Sequence, residues 1–84
     1  MRLIFAEQAW EDYLFWQASD PKVLRRIHDL LRDASRHPFE GLGRPEPLRH
    51  ALAGYGSRRV TGEHRMVYKA VGGDLLIAQL RYHY

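Results

Sequence analysis

YGSRRVTGEHRMVYKAVGGDLLIAQLRYHY, the stretch from Tyr55 to Tyr84, decides the fold. Two runs rich in β-branched and aromatic residues, Tyr55 to Thr61 and Arg65 to Val71, flank a Gly62-Glu63 turn. Gly72-Gly73-Asp74 makes a second turn, and the spacing predicts a last strand from Leu75 to Tyr84. Side chains alternate across a strand, so Gln79, Arg81 and His83 share one face of it, and Arg65, Val67 and Lys69 share one face of theirs. With helices covering one side of such a sheet, the other side exposes Arg and His as a concave basic surface. That surface is the candidate site.

Upstream the apolar period changes. Val23, Ile27, Leu30, Leu31 and Ala34 form one helical stripe, with Lys22, Arg25, Arg26, Asp29, Arg32, Asp33 and Arg36 around it. Asp20 and Pro21 suit the cap and first turn of this helix, and His37-Pro38 ends it. Before it, Ala9, Trp10, Tyr13, Leu14 and Trp16 recur at helical spacing from Glu7 to about Gln17, with Glu7, Glu11 and Asp12 in the first turns, where the helix dipole favours acids. Residues 1–6 read as a short strand. Residues 38–50 read as a loop in which Pro45 and Pro47 bracket Glu46 and hold its backbone stiffly. The order is strand, helix, helix, then three strands. That predicts an α+β domain, a mainly antiparallel sheet with two helices on one face, spanning 1–84 as a single unit.

Composition narrows the function. The chain has 84 residues, 45% hydrophobic and 12% aromatic, and it has no Cys. A disulfide scaffold, a thiol nucleophile and a Cys-based zinc site are excluded. No apolar run approaches the ~20 residues of a membrane span, and the start is too short for a signal-peptide core. A soluble cytoplasmic protein is expected, with no membrane partner. Thirteen basic against ten acidic residues give +3, and eleven of the thirteen are Arg. Residues 1–43 carry net −1 and residues 44–84 net +4, with three of the five His in the second half. Arg presents a rigid fork that matches phosphate oxygens, so an Arg-biased basic half points to a polyanion, most simply nucleic acid. Ordinary surface charge is the competing reading.

No metal motif survives inspection, because His28 lacks a ligand four residues on and His50, His64 and His83 lack a carboxylate at zinc-like spacing. Gly41-Leu42-Gly43-Arg44 lacks the Lys-Ser/Thr ending of a phosphate loop, and Ser19, Ser35 and Ser57 have no triad context. The remaining residue types suit RNA cleavage by transesterification. That reaction needs a base for the 2′-hydroxyl, an acid for the leaving 5′-oxygen and positive charge at the phosphorane. Glu46, His83 and the arginines supply those types; Tyr55, Tyr82 and Tyr84 suit base stacking. Each also has a bland reading: a loop carboxylate, a terminal His, solubilising charge, core or edge aromatics. Residue types alone therefore leave nucleic-acid binding and acid–base catalysis both open.

Five stretches in this order carry a resemblance: Pro38-Phe39-Glu40-Gly41, Gly43-Arg44-Pro45-Glu46-Pro47-Leu48, Ser57-Arg58-Arg59-Val60, Glu63-His64-Arg65-Met66-Val67-Tyr68 and the terminal Arg81-Tyr82-His83-Tyr84. Together they resemble the YoeB toxins of the RelE-like superfamily of bacterial toxin–antitoxin systems, over essentially the whole chain. The resemblance implies a RelE-like, microbial-ribonuclease-like fold and a metal- and cofactor-free endoribonuclease. It implies cutting of mRNA in the A site of the 70S ribosome and neutralisation by a YefM/Phd-like antitoxin. It also implies a homodimer, and operator DNA bound only through the antitoxin. On these positions it makes Glu46 the general base, His83 the general acid and Arg65 the phosphate stabiliser, with Tyr84 positioning substrate or the catalytic groups. Arg44, Arg49, Arg58, Arg59 and Arg81 are the expected RNA contacts. Gly56 stands where the family usually has a large aromatic, Arg49 replaces a Lys, and Ala6 replaces a capping Ser or Thr. The alternatives are a non-catalytic module of this fold that binds the ribosome or operator DNA, and a toxin of this fold aimed at another target such as gyrase.

Overall fold

The computed structural model describes residues 1–83. Strand β1 (Arg2–Phe5) leads into helices α1 (Glu7–Ser19) and α2 (Pro21–Arg36), followed by strands β2 (Glu46–Pro47), β3 (Gly56–Arg59), β4 (Arg65–Val71) and β5 (Asp74–Gln79). The five strands form one sheet in the order β1-β5-β4-β3-β2. Among the described residues only β1, alongside β5, runs parallel to its neighbour; the other pairings are antiparallel. The expected α+β architecture holds, with two corrections. The 38–50 loop contributes an edge strand at Glu46–Pro47 and a single 3₁₀ turn at His50–Leu52. The last strand stops at Gln79, five residues before the expected end.

Local chemistry explains the helices. Asp20 Oδ1 accepts from the N–H groups of Lys22 and Val23 at 3.1 and 3.3 Å, and Pro21 needs no partner at the first helical position. Ile27, Leu30, Leu31 and Ala34 are fully or nearly buried, as the α2 stripe predicts. They pack with Met66 and Tyr68 of β4 and Leu75 and Ile77 of β5, so the helices cover one face of the sheet. In α1 the buried stripe is Ala9, Asp12 and Trp16, while Trp10 and Leu14 are exposed. An acid expected at the surface is therefore inside.

A β-bulge governs the C-terminal strand. Val67 pairs with Gln79 but Tyr68 with Ile77, leaving Ala78 as the extra residue. Strict alternation cannot bury Leu75, Ile77 and Leu80 together, yet all three are fully buried. The bulge shifts the parity at Ala78, sending Leu80 inward and Gln79 to the face away from the helices. Beyond it the chain leaves the sheet. Tyr82 takes φ 61° and is 60% exposed, in place of the extended strand residue expected there.

Candidate active site

The face away from the helices is set by register. Glu46 pairs with Ser57, Ser57 with Val67, Arg59 with Arg65, and Val67 with Gln79, so these six side chains share one side of the sheet. Ser57 and Val67 are buried at its floor. Arg65 Nη1 reaches Glu46 Oε1 at 3.5 Å and Ser57 Oγ at 3.4 Å. Both contacts are long, so they orient the guanidinium without spending its donors. Among the described residues Arg65 Nε is buried with no hydrogen-bond partner. The Arg65 side chain is only 12% exposed, while that of Glu46 is 50% exposed and open to a proton donor in solution. Glu46 lies in β2, between Pro45 and Pro47.

The C-terminal segment returns to the same place. Arg65 N–H donates to Tyr82 O at 3.0 Å, so the exposed His83 follows immediately after a residue bonded to the Arg65 backbone. The structure thus gathers Glu46, Arg65 and the segment bearing His83 from three separate parts of the chain. Tyr84 lies outside the described residues.

Arg44, Arg49 and Arg59 are exposed, and the Arg59 side chain shares a face with Arg65. Arg58 is different. Its side chain is 0% exposed, and the register turns it to the helix side opposite Met66. Its Nε donates to Tyr68 Oη at 3.1 Å and Nη1 to Asp33 Oδ2 at 2.6 Å. The carbonyls of Leu42, His37 and Glu40 take further bonds. Leu42 N–H first, and then Arg58, hold the Asp33 carboxyl below the usual carboxylate range. Arg58 ties the 37–42 loop to α2 and β3; with its fork fully used inside, it offers nothing to a phosphate. The expectation of an RNA contact at Arg58 is corrected. Arg81 is half-buried, its guanidinium 3.5 Å from the centre of the Phe15 ring.

Beside Glu46 lies an apolar depression of about 280 Å³ lined by Pro38, Phe39, Tyr55, Gly56 and Tyr68. A Cβ on residue 56 would stand 3.2 Å from Tyr68 Cζ, so the glycine lets that ring lie against the strand. Sequence reading missed Asp12, Trp16 and His64, whose side chains hold the C-terminal segment. The 9, 12, 16 spacing carried a signal for Asp12, because it is the spacing of one helix face.

The family profile described as YoeB-like toxin of bacterial type II toxin-antitoxin system matches residues 5–84. Toxin YoeB of Escherichia coli strain K12 is 52% identical over 84 residues, all of both chains. The solved YoeB/ParE toxin from Agrobacterium tumefaciens superposes with a TM-score of 0.98 at 49% identity, covering 100% of both chains. The toxin in the heterotetrameric YoeB–YefM toxin–antitoxin complex from Staphylococcus aureus gives 0.92 at 41% identity, over 100% of this chain and 98% of that one. With its fold and nearly its whole length shared in this way, the chain belongs to the YoeB-like toxin family of bacterial type II toxin–antitoxin systems.

Proposed function

We propose that this toxin is a metal-independent endoribonuclease that cuts mRNA in the A site of the 70S ribosome and so stops translation. Glu46 takes the 2′-hydroxyl proton, the 2′-oxygen attacks the adjacent phosphorus, and His83 protonates the departing 5′-oxygen. The products are a 2′,3′-cyclic phosphate and a 5′-hydroxyl. Arg65 stabilises the charge that builds on the non-bridging oxygens. Arg44, Arg49 and Arg59 hold the backbone electrostatically, Arg81 adds charge two residues from His83, and Tyr84 positions the reacting groups.

The observation that carries this reading is the setting of Arg65. Its guanidinium stands against Glu46, its Nε has no partner among the described residues, and its own N–H holds the segment that presents His83. A surface that only bound a polyanion would have no use for a carboxylate beside this buried guanidinium.

By analogy with the S. aureus relative solved with YefM, the neutralising partner is a YefM/Phd-like antitoxin, and operator DNA is reached only through it. The toxin acts in the cytoplasm, where ribosomes are, and self-associates as a homodimer. Primer extension on translated messages after induction tests the function. Discrete cuts inside codons, lost in Glu46→Ala while ribosome binding persists, are expected. Undiminished cutting by Glu46→Ala, or growth arrest with intact messages, would favour a binding module.

A further inference from the structure

β5 ends at Gln79, so the residues that lead to His83 lie outside the strand ladder. Leu80 is fully buried, and its N–H and C=O would be orphaned there at a substantial cost. Two α1 side chains meet them. Asp12 Oδ2 accepts from Leu80 N–H at 2.9 Å, and Trp16 Nε1 donates to Leu80 O at 3.0 Å. Gln8 Nε2 donates to the other Asp12 oxygen at 2.9 Å. A carboxylate that is 3% exposed is an expensive occupant of the buried stripe of a helix, where an apolar residue would pack at no such cost. Its use is the Leu80 amide.

Two residues on, Tyr82 N–H donates to His64 Nδ1 at 2.8 Å, while Tyr82 O accepts from Arg65 N–H. An accepting Nδ1 is a bare nitrogen, so the ring carries its proton on Nε2. The His64 ring is itself fixed, edge to face on Trp16 with centroids 4.9 Å apart. Trp16 thus touches both halves of the clamp. It bonds Leu80 and braces the imidazole that bonds Tyr82. The left-handed backbone at Tyr82, φ 61°, is unfavourable for a tyrosine and persists only where surrounding bonds dictate it. That turn sets the direction in which the next residue, His83, leaves.

We infer that Asp12, Trp16 and His64 are positioning residues: through the backbone of Leu80 and Tyr82 they aim His83 at the site built by Glu46 and Arg65. The inference rests on the reading of His83 as general acid. General acid catalysis demands hydrogen-bond reach, and a displacement of about 1 Å can cost 10²-fold, so the clamp acts on the rate of the chemical step. It leaves binding of the ribosome to the basic surface untouched.

The test is a double-mutant cycle in single-turnover cleavage on programmed ribosomes. His64→Phe keeps the ring against Trp16 and removes the acceptor; His64→Asn places an amide oxygen close to where Nδ1 stood. A fall of about 10-fold or more is expected for His64→Phe at saturating ribosome, with the half-saturating concentration changed less than about 2-fold. His64→Asn should recover most of that loss, as Asp12→Asn should relative to Asp12→Leu. In a His83→Ala background, His64→Phe should add less than about 2-fold, because the two act as one unit. Multiplicative losses in the cycle would make His64 merely structural and overturn the proposal. Wild-type cleavage by His83→Ala alone would instead sink the general-acid reading on which it rests. ¹⁵N spectra of the imidazole supply a readout free of activity and of the variants' folding. They should show the Nε2–H tautomer at neutral pH, and an Nδ1–H tautomer would overturn the clamp.

Discussion

Replacing Arg58 with Met removes the guanidinium but keeps an unbranched side chain that fills most of the same space. Asp33 then retains the Leu42 N–H and stands partly in solvent, so its loss of a partner counts for little. The carbonyls of His37, Glu40 and Leu42 lose a charged donor together, and Tyr68 Oη loses the Nε bond while keeping Pro38 O. Taking ~1 kcal/mol for each of these three lost bonds, the central value for a hydrogen bond's net contribution, gives a destabilisation of ~3 kcal/mol. A domain of 84 residues has roughly 4–13 kcal/mol in total, so the loss is a large fraction of it. At about 4–8 °C per kcal/mol for this size, Tm should fall by about 12–24 °C. Scanning calorimetry with urea unfolding on wild type, Arg58→Met and Arg58→Lys measures it. Lysine should lie between the two, because a single ammonium cannot serve five acceptors at once. Arg59→Ala, on the exposed side of the same strand, should stay within about 0.5 kcal/mol of wild type. An Arg58→Met protein with unchanged Tm but weakened ribosome binding would refute the structural assignment and restore Arg58 to the RNA surface.

Arg44→Ala and Arg49→Ala should each weaken ribosome binding and reduce its logarithmic salt slope by about 1, whereas Arg58→Met should leave the slope alone; fluorescence titration across salt concentrations reads this. Asp33 holds its proton less tightly folded than unfolded, so its contribution to stability is complete above the usual carboxylate pKa of about 3.9 and is lost as pH falls through the lower folded value. Urea midpoints at descending pH should fall more steeply for wild type than for Asp33→Asn. Glu46→Ala and Arg65→Ala should each slow single-turnover cleavage by at least about 10²-fold, while Arg25→Ala and Arg32→Ala on the solvent side of α2 should change it little.

How far the sequence could be read depended on whether the deciding interaction was local. The α2 stripe, the Asp20 cap, and the Gly72-Gly73 turn between β4 and β5 are set by neighbours within a few residues, and all appear as expected. The parallel seat of β1 beside β5 and the pairing of Glu46 with Ser57 are long-range matters that no local pattern encodes. The bulge at Ala78 defeated strict alternation, although Leu75, Ile77 and Leu80 hinted at it by competing for one face. Arg58 and Arg59 are adjacent and chemically alike, and only the pleat separates a buried structural cation from an exposed one. Asp12 looked like a dipole-compensating acid because its partner, Leu80, lies sixty-eight residues away.

In the proposed mechanism a 2′-hydroxyl is the nucleophile, activated by Glu46 without a metal ion. Programmed ribosomes carrying mRNA with a single 2′-deoxynucleotide at the cut position test it most directly, with mass spectrometry of the upstream fragment. A 2′,3′-cyclic phosphate end is expected on all-ribose mRNA, undiminished by chelator while ribosomes stay intact, with no cut at the deoxy position. Efficient cleavage of the deoxy substrate, or an upstream fragment ending in a 3′-hydroxyl, would contradict it.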